Sequence, residues 1–297
     1  MAYINIFVTK DAKICVKNNQ LCLEKDENKI EFPLEDVNSV MIEGLNAVVT
    51  TYTLSALAER GILCFICNQN HLPNGIVLPF CSHYQTLTQY NNQVNLSKPL
   101  KKRLWKSIIE NKIRNQDKVL ELIGKGNALK ELSETVLSGD SSNNEAKASL
   151  LYFKLLFGES FARRDEENAI NAFLNYGYSI IRSFIARSVV AHGFMPFLGI
   201  CHSNQFNQFN LADDLIEVFR PVVDLYVINS FKGQELNSAE KAKLLNLINS
   251  NVKIDGQRQS LSYAIEIFVQ SYQKSLKEGE VLLKEVEIVN LEMHSYE

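Results

Sequence analysis

No stretch of this chain approaches the roughly 18 consecutive apolar residues of a membrane span, and the opening MAYINIFVTK has neither the apolar core nor the small-residue cleavage site of a secretory leader. A soluble, cytoplasmic protein is expected. An excess of one charge is missing too: 31 basic and 34 acidic residues leave a net charge of −3, which selects no anionic partner by itself. There is no Walker A sequence, dinucleotide fingerprint or GxSxG elbow, so nucleotide-cofactor and serine-hydrolase chemistry lose support. The six cysteines, Cys15, Cys22, Cys64, Cys67, Cys81 and Cys201, are scattered among apolar neighbours, as reduced core thiols would be. Cys64 and Cys67 form a lone CxxC in an apolar strand. Their odd spacing turns the thiols to opposite faces, and no second pair completes a zinc site.

The composition, 46% hydrophobic and 22% charged over 297 residues, suits a folded protein of about two domains. An α+β, two-domain architecture is expected, with a β-sheet domain ahead of a larger all-α catalytic domain. Residues 1–83 are strand-like, with short apolar runs at 3–8, 14–16, 21–23, 37–42 and 62–67 punctuated by Asn, Asp and Gly. One helix is expected over 51–60, stopped by Gly61. Residues 84–97, uncharged and rich in Asn and Gln, read as a linker. From 98 to 297 the apolar residues take helical spacing, over 104–122, 145–157, 167–192, 211–218, 239–248 and 259–276.

Charge divides unevenly. Residues 98–114 hold seven basic side chains against one acid, Glu110. Trp105, Ile108, Ile109 and Ile113 can face a core while Lys101, Lys102, Arg103, Lys106, Lys112 and Arg114, with Lys98 before them, line the other side as a phosphate-backbone contact. A solvated basic face is the plainer alternative. Residues 61–97 contain no Asp, Glu, Lys or Arg, and Ile76, Val77, Leu78 and Phe80 offer apolar surface there. The β domain is therefore expected to dimerise, unless these residues pack within their own sheet. Near the C-terminus, residues 281–283 and 286–291 could dock on a partner.

Two constellations carry chemistry. In Asn143-Asn144-Glu145 the asparagines can cap a helix with Glu145 in its first turn. In the second, Cys201-His202 precedes Asp213, Asp214 and Glu217, and on a helix Glu217 shares a face with either aspartate. Carboxylates so grouped repel unless a cation neutralises them, and oxygen ligands with one imidazole suit Mg²⁺ or Mn²⁺. A solvated acidic helix start, with Arg220 as salt-bridge partner of Glu217, is the alternative.

These segments resemble the CRISPR-associated integrase family, the larger subunit of the spacer-acquisition machinery, over nearly the whole chain. The resemblance rests on NNEAKASLLYFKLLFG, on RRDEENAINAFLNYGYSIIRSFIARSVVAHGFMPFLGICHSN and on NLADDLIEVFRPVVD, with weaker agreement in PLEDVNSVMIEG and RGILCFICN. YNNQ and LWKSIIENKIRNQ resemble the variant from single-effector (type II) systems. The resemblance implies a metal-dependent DNA endonuclease that joins 3′-hydroxyl ends of a DNA fragment to a CRISPR repeat by transesterification. Its metal site and catalytic residues would be Glu145, His202 and Glu217, with Asp214 as alternate ligand or orienter. It also implies a homodimer, a small CRISPR-associated partner protein and, beyond these, the effector nuclease of the same system. The same residues would serve a nuclease of branched or repair DNA, and a non-catalytic DNA scaffold would need them only structurally.

Overall fold

The computed structural model describes residues 3–79 and 83–294; Cys81 and Phe80, named above, lie outside them. In the N-terminal part β1 (Ile4–Val8), β2 (Lys13–Lys17), β3 (Gln20–Lys25), β4 (Asn28–Pro33), β5 (Val37–Ile42) and β6 (Val48–Val49) precede α1 (Thr51–Glu59), then β7 (Leu63–Cys67) and β8 (Pro73–Val77). They make two four-stranded sheets, ordered β1-β5-β7-β8 and β4-β3-β2-β6. Strand β5 is buried at every residue because its sheet is covered on both faces. Val40 and Cys64 pack toward α1 and the second sheet, while Met41, Phe65 and Cys67 pack toward the helices that follow. The two thiols of the CxxC thus point to opposite faces, and burial pushes each up to about 11.

The expected linker is instead a helix, α2 (Thr86–Val94). Gln89 and Gln93, one turn apart, are buried, and the Gln93 amide exchanges hydrogen bonds with the backbone of Met195 and Leu198. Its buried face is polar, so apolar periodicity could not reveal it. There follow α3 (Lys98–Leu122), α4 (Lys130–Glu134), α5 (Asn144–Phe157), α6 (Ala169–Ala191), α7 (Asn210–Leu215), α8 (Arg220–Ser230) and α9 (Ser238–Asn246). Helix α6 is buried along most of its length and carries Phe184 against Phe65 and the Tyr176 hydroxyl against the Met41 sulfur. Gly177 lets α6 meet α8 closely: an added Cβ would lie 2.5 Å from Val223 Cγ1.

The second part is not all-α. It closes with β9 (Ser250–Ile254), β10 (Gln257–Ser260), α10 (Leu261–Glu278) and β11 (Val286–Met293), the strands forming an antiparallel sheet ordered β10-β9-β11. The Asp255-Gly256 turn, with φ of 52° and 76°, was the readable hairpin signal. Strand β11 takes the segment expected to meet a partner and buries Val286, Ile288 and Val289 within the chain. Ile76 and Leu78 likewise lean on the helical core and Val77 on the β core, each half-buried. A buried ion pair joins the two parts, Lys241 Nζ to Glu43 Oε1 at 2.7 Å, with Ser238 Oγ donating to Glu43 Oε2 at 2.9 Å.

Candidate active site

Glu145 stands in the first turn of α5, just after Asn143 in a left-handed conformation (φ 55°). The asparagines do not cap this helix. The Asp140 carboxylate does so, accepting from the backbone N–H of Asn144 at 2.8 Å and of Glu145 at 3.1 Å. Glu217 lies on the 3-10 turn that breaks the expected helix after Leu215. That break sends the three acids apart. Asp213 meets Arg182 at 3.7 Å and Asn207, Asp214 faces the 200–202 turn, and Glu217 faces α3.

Lys112 of α3 decides what Glu217 meets. Its ammonium lies 2.5 Å from Glu145 Oε1 and 2.5 Å from Glu217 Oε2. The second contact is a close ion pair, and beyond it Glu217 Oε2 is buried with no other donor. Arg220 Nε donates to the other oxygen, Oε1, at 2.9 Å. Burial pushes the Glu217 carboxyl up, but Arg220 and Lys112 overcome it and hold the group at about 2. Burial works against the Lys112 charge, yet Glu217 and then Glu145 outweigh it and raise the ammonium above its ordinary value. Glu217 and Lys112 therefore stay ionised at neutral pH. Lys112 is thereby removed from the expected DNA-contacting row: its side chain is 6% exposed and points at carboxylates.

His202 is held by a different carboxylate. Asp214, fully buried, accepts from the backbone N–H of Ile200 (2.5 Å), Cys201 (3.0 Å) and His202 (3.1 Å) and from His202 Nδ1 at 2.6 Å. Both its oxygens are committed, so Asp214 orients the imidazole and has no oxygen left for an ion. Gly199 makes this turn possible, because a Cβ there would collide with the His202 carbonyl oxygen and lie 2.8 Å from Asp214 Oδ2. With Nδ1 donating to Asp214, the neutral ring keeps its lone pair on Nε2. The Asp214 bond raises the His202 value above that of an ordinary histidine, against the opposing effect of burial. Trp105 presents its ring edge-on at 5.8 Å. Among the described residues, no three His, Cys, Asp or Glu side chains converge closely enough to share an ion. Glu145 and Glu217 meet across Lys112, and His202 stands apart with Asp214.

A cavity of about 770 Å³ opens on Glu145, Glu217, Lys112 and Arg220, and another of about 580 Å³ on His202 and Lys101. Lys102 and Arg103 are exposed, Lys101 is half-exposed, and Lys106 pairs with Glu110 at 3.6 Å. Arg114 is drawn instead to Glu285, at 2.9 Å.

The profile of the family described as CRISPR associated protein Cas1 matches residues 6–250. The chain belongs to the Cas1 family. It is 37% identical, over the full length of both chains, to the CRISPR-associated endonuclease Cas1 of Neisseria meningitidis serogroup C (strain 8013). Among solved structures it is similar to a casposase bound to integration product (TM-score 0.77, 18% identity, 95% of this chain and 92% of that one). It is similar also to a chain of a Cas6-RT-Cas1–Cas2 complex (TM-score 0.70, 21% identity, 94% of this chain and 35% of that one). At these identities the two structures establish the fold.

Two features of this Cas1 protein do not follow from the motifs. Lys112 was legible: it falls three and four residues after Ile109 and Ile108, on the apolar stripe of α3, where a solvent-facing lysine does not belong. The buried carboxylate of Asp224 was not. It accepts from the Tyr152 hydroxyl at 3.0 Å and from the Tyr178 hydroxyl, and the Arg220 guanidinium lies 4.7 Å from the Tyr178 ring centre.

Proposed function

We propose that this chain is a metal-dependent DNA endonuclease and integrase that inserts short DNA fragments into a CRISPR array. The 3′-hydroxyl of the fragment attacks a repeat phosphate, a new phosphodiester forms, and the repeat strand leaves with its own 3′-oxygen protonated. The observation that carries the reading, in a chain of this family, is the meeting of Glu145 and Glu217 on one cation. An ammonium stands between two carboxylates where a cation is required, one buried Glu217 oxygen has no other donor, and His202 keeps Nε2 for a ligand. This oxygen and nitrogen donor set suits Mg²⁺ or Mn²⁺. When bound, such an ion polarises the scissile phosphate and stabilises its developing charge.

The protein needs no nucleophile of its own, since DNA supplies it. Glu145, His202 and Glu217 would hold the ion, Asp214 would fix the imidazole, and Arg220 would keep Glu217 ionised. The exposed cations of α3 would hold the DNA backbone. A homodimer associated with a small Cas2-type partner would engage both ends of one fragment, and the effector nuclease of a single-effector system is a further partner.

The test is strand transfer into a supercoiled repeat array with the small partner and Mg²⁺ or Mn²⁺. Glu145→Gln, His202→Ala and Glu217→Gln should each lower the rate by roughly 10²-fold or more while circular dichroism and DNA binding hold. A variant that integrates at the wild-type rate removes its residue from the site. Cleavage of branched DNA without integration into the array would favour a repair nuclease.

A further inference from the structure

We propose that Lys112 is a built-in counter-ion whose ammonium holds Glu145 and Glu217 together until a divalent ion displaces it, and that Gln116 receives the displaced ammonium. The inference rests on the metal-dependent reading above. Lys112 and Arg220 supply two positive charges against the two carboxylates, so the cluster is neutral as it stands. A divalent ion added to it would leave an excess of charge in a buried place, and the less rigidly held cation is the one to move. Arg220 is held in place by a directed bond to Glu217 and by the Tyr178 ring. Lys112 donates one hydrogen bond, to Glu145 Oε1, and meets Glu217 Oε2 as a close ion pair, its ammonium carried on a flexible four-carbon stem.

The second observation lies one turn further along the same helix. Gln116 is 2% exposed, lines the same cavity as Lys112, Glu145 and Glu217, and has its side-chain carbonyl oxygen without a partner. A buried amide oxygen left unpaired is costly. An ammonium four residues away on the helix is the donor that would satisfy it.

Mn²⁺ binding is measured by electron paramagnetic resonance on the full chain without DNA. Lys112→Gln should bind Mn²⁺ at least about fivefold tighter than wild type, the low end of ordinary coupling between sites; equal or weaker binding overturns the proposal. Gln116→Leu should weaken Mn²⁺ binding in the wild-type background but not in Lys112→Gln, a dependence that general damage to the fold would not produce. Equal weakening in both removes Gln116 from the proposal. A measurement on the wild type needs no altered site: the Lys112 ammonium ¹⁵N resonance, assigned by its loss in Lys112→Arg, should shift on saturation with Mg²⁺. A resonance that stays in place at saturation refutes displacement. If neither wild type nor Lys112→Gln takes up Mn²⁺, the metal-dependent reading itself falls; if both bind it equally, only displacement does.

Discussion

Asn115 on α3 donates its side-chain amide to the carbonyl of Val218, 2.9 Å away, and so ties the residue after Glu217 to the helix that carries Lys112. Its own carbonyl oxygen accepts from the backbone N–H of Ile288 at 3.3 Å. One buried amide therefore joins helix α3, the 3-10 turn that carries Glu217 and strand β11.

Replacing Asn115 with Ala should cost about 1–3 kcal/mol, because a buried carbonyl and a buried N–H lose their partner together. Urea unfolding measures it. In the strand-transfer assay kcat should fall while DNA affinity stays near wild type, since no DNA contact is assigned to this residue. A DNA affinity that falls as far as kcat would show general loosening instead.

Neutralising Lys101, Lys102, Arg103 and Lys106 together should weaken duplex binding for unrelated sequences alike, the slope of log K against log salt shrinking by roughly 0.9 for each phosphate no longer neutralised. Arg114→Gln, in contrast, removes a side chain occupied by Glu285 and should leave the slope in place. An unchanged slope in the fourfold variant returns these residues to a merely solvated face.

Helix periods were legible in the sequence, and α5 and α6 match their expected spans within two residues. The candidate site was legible as residue types but not as an arrangement. Its residues lie on α5, on the 199–202 turn and on a 3-10 turn, and only the packing of α3 between them decides which side chains meet. The spacing of Asp213, Asp214 and Glu217 suggested one shared face. The helix ends at Leu215, and a cation or a set of backbone amides claims each acid separately.

Asp224 gives a pH dependence of stability. Burial pushes its carboxyl up to about 6, the Tyr178 and Tyr152 hydrogen bonds opposing. A carboxyl with a folded value above its unfolded one contributes stability that is fully present below the unfolded value and lost as pH rises through 6. At pH 8 the ionised group thus costs on the order of 3 kcal/mol relative to acid conditions. Asp224→Asn should be least favourable, relative to wild type, near pH 4 and gain on it steadily up to pH 7. A difference in Tm that does not change with pH between these limits would remove the titration of Asp224 from the stability of the fold.

Ile30, Leu45, Val48, Tyr52 and Ile66 of the N-terminal part remain exposed, apolar surface that its own cores leave uncovered. Light scattering at micromolar concentration should find a particle near twice the 33.7 kDa of one chain. A mass of one chain at every concentration would refute the dimer and weaken two-ended integration with it.

Strand β11 has a consequence for biosynthesis. The Asn111 amide donates to the Val286 carbonyl at 2.7 Å and accepts from its N–H at 3.0 Å, and Asn115 takes the N–H of Ile288. A nascent chain that has not yet emerged as far as Ile288 leaves the β11-facing bonds of these amides unmade, the Asn115 bond to Val218 excepted, and Lys112 rides on that helix between them. The bonds of α3 on either side of Lys112 are thus completed only once the last strand has been made. A fragment that stops before β11 therefore carries Glu145, His202 and Glu217 without the strand that pairs with the helix beside them.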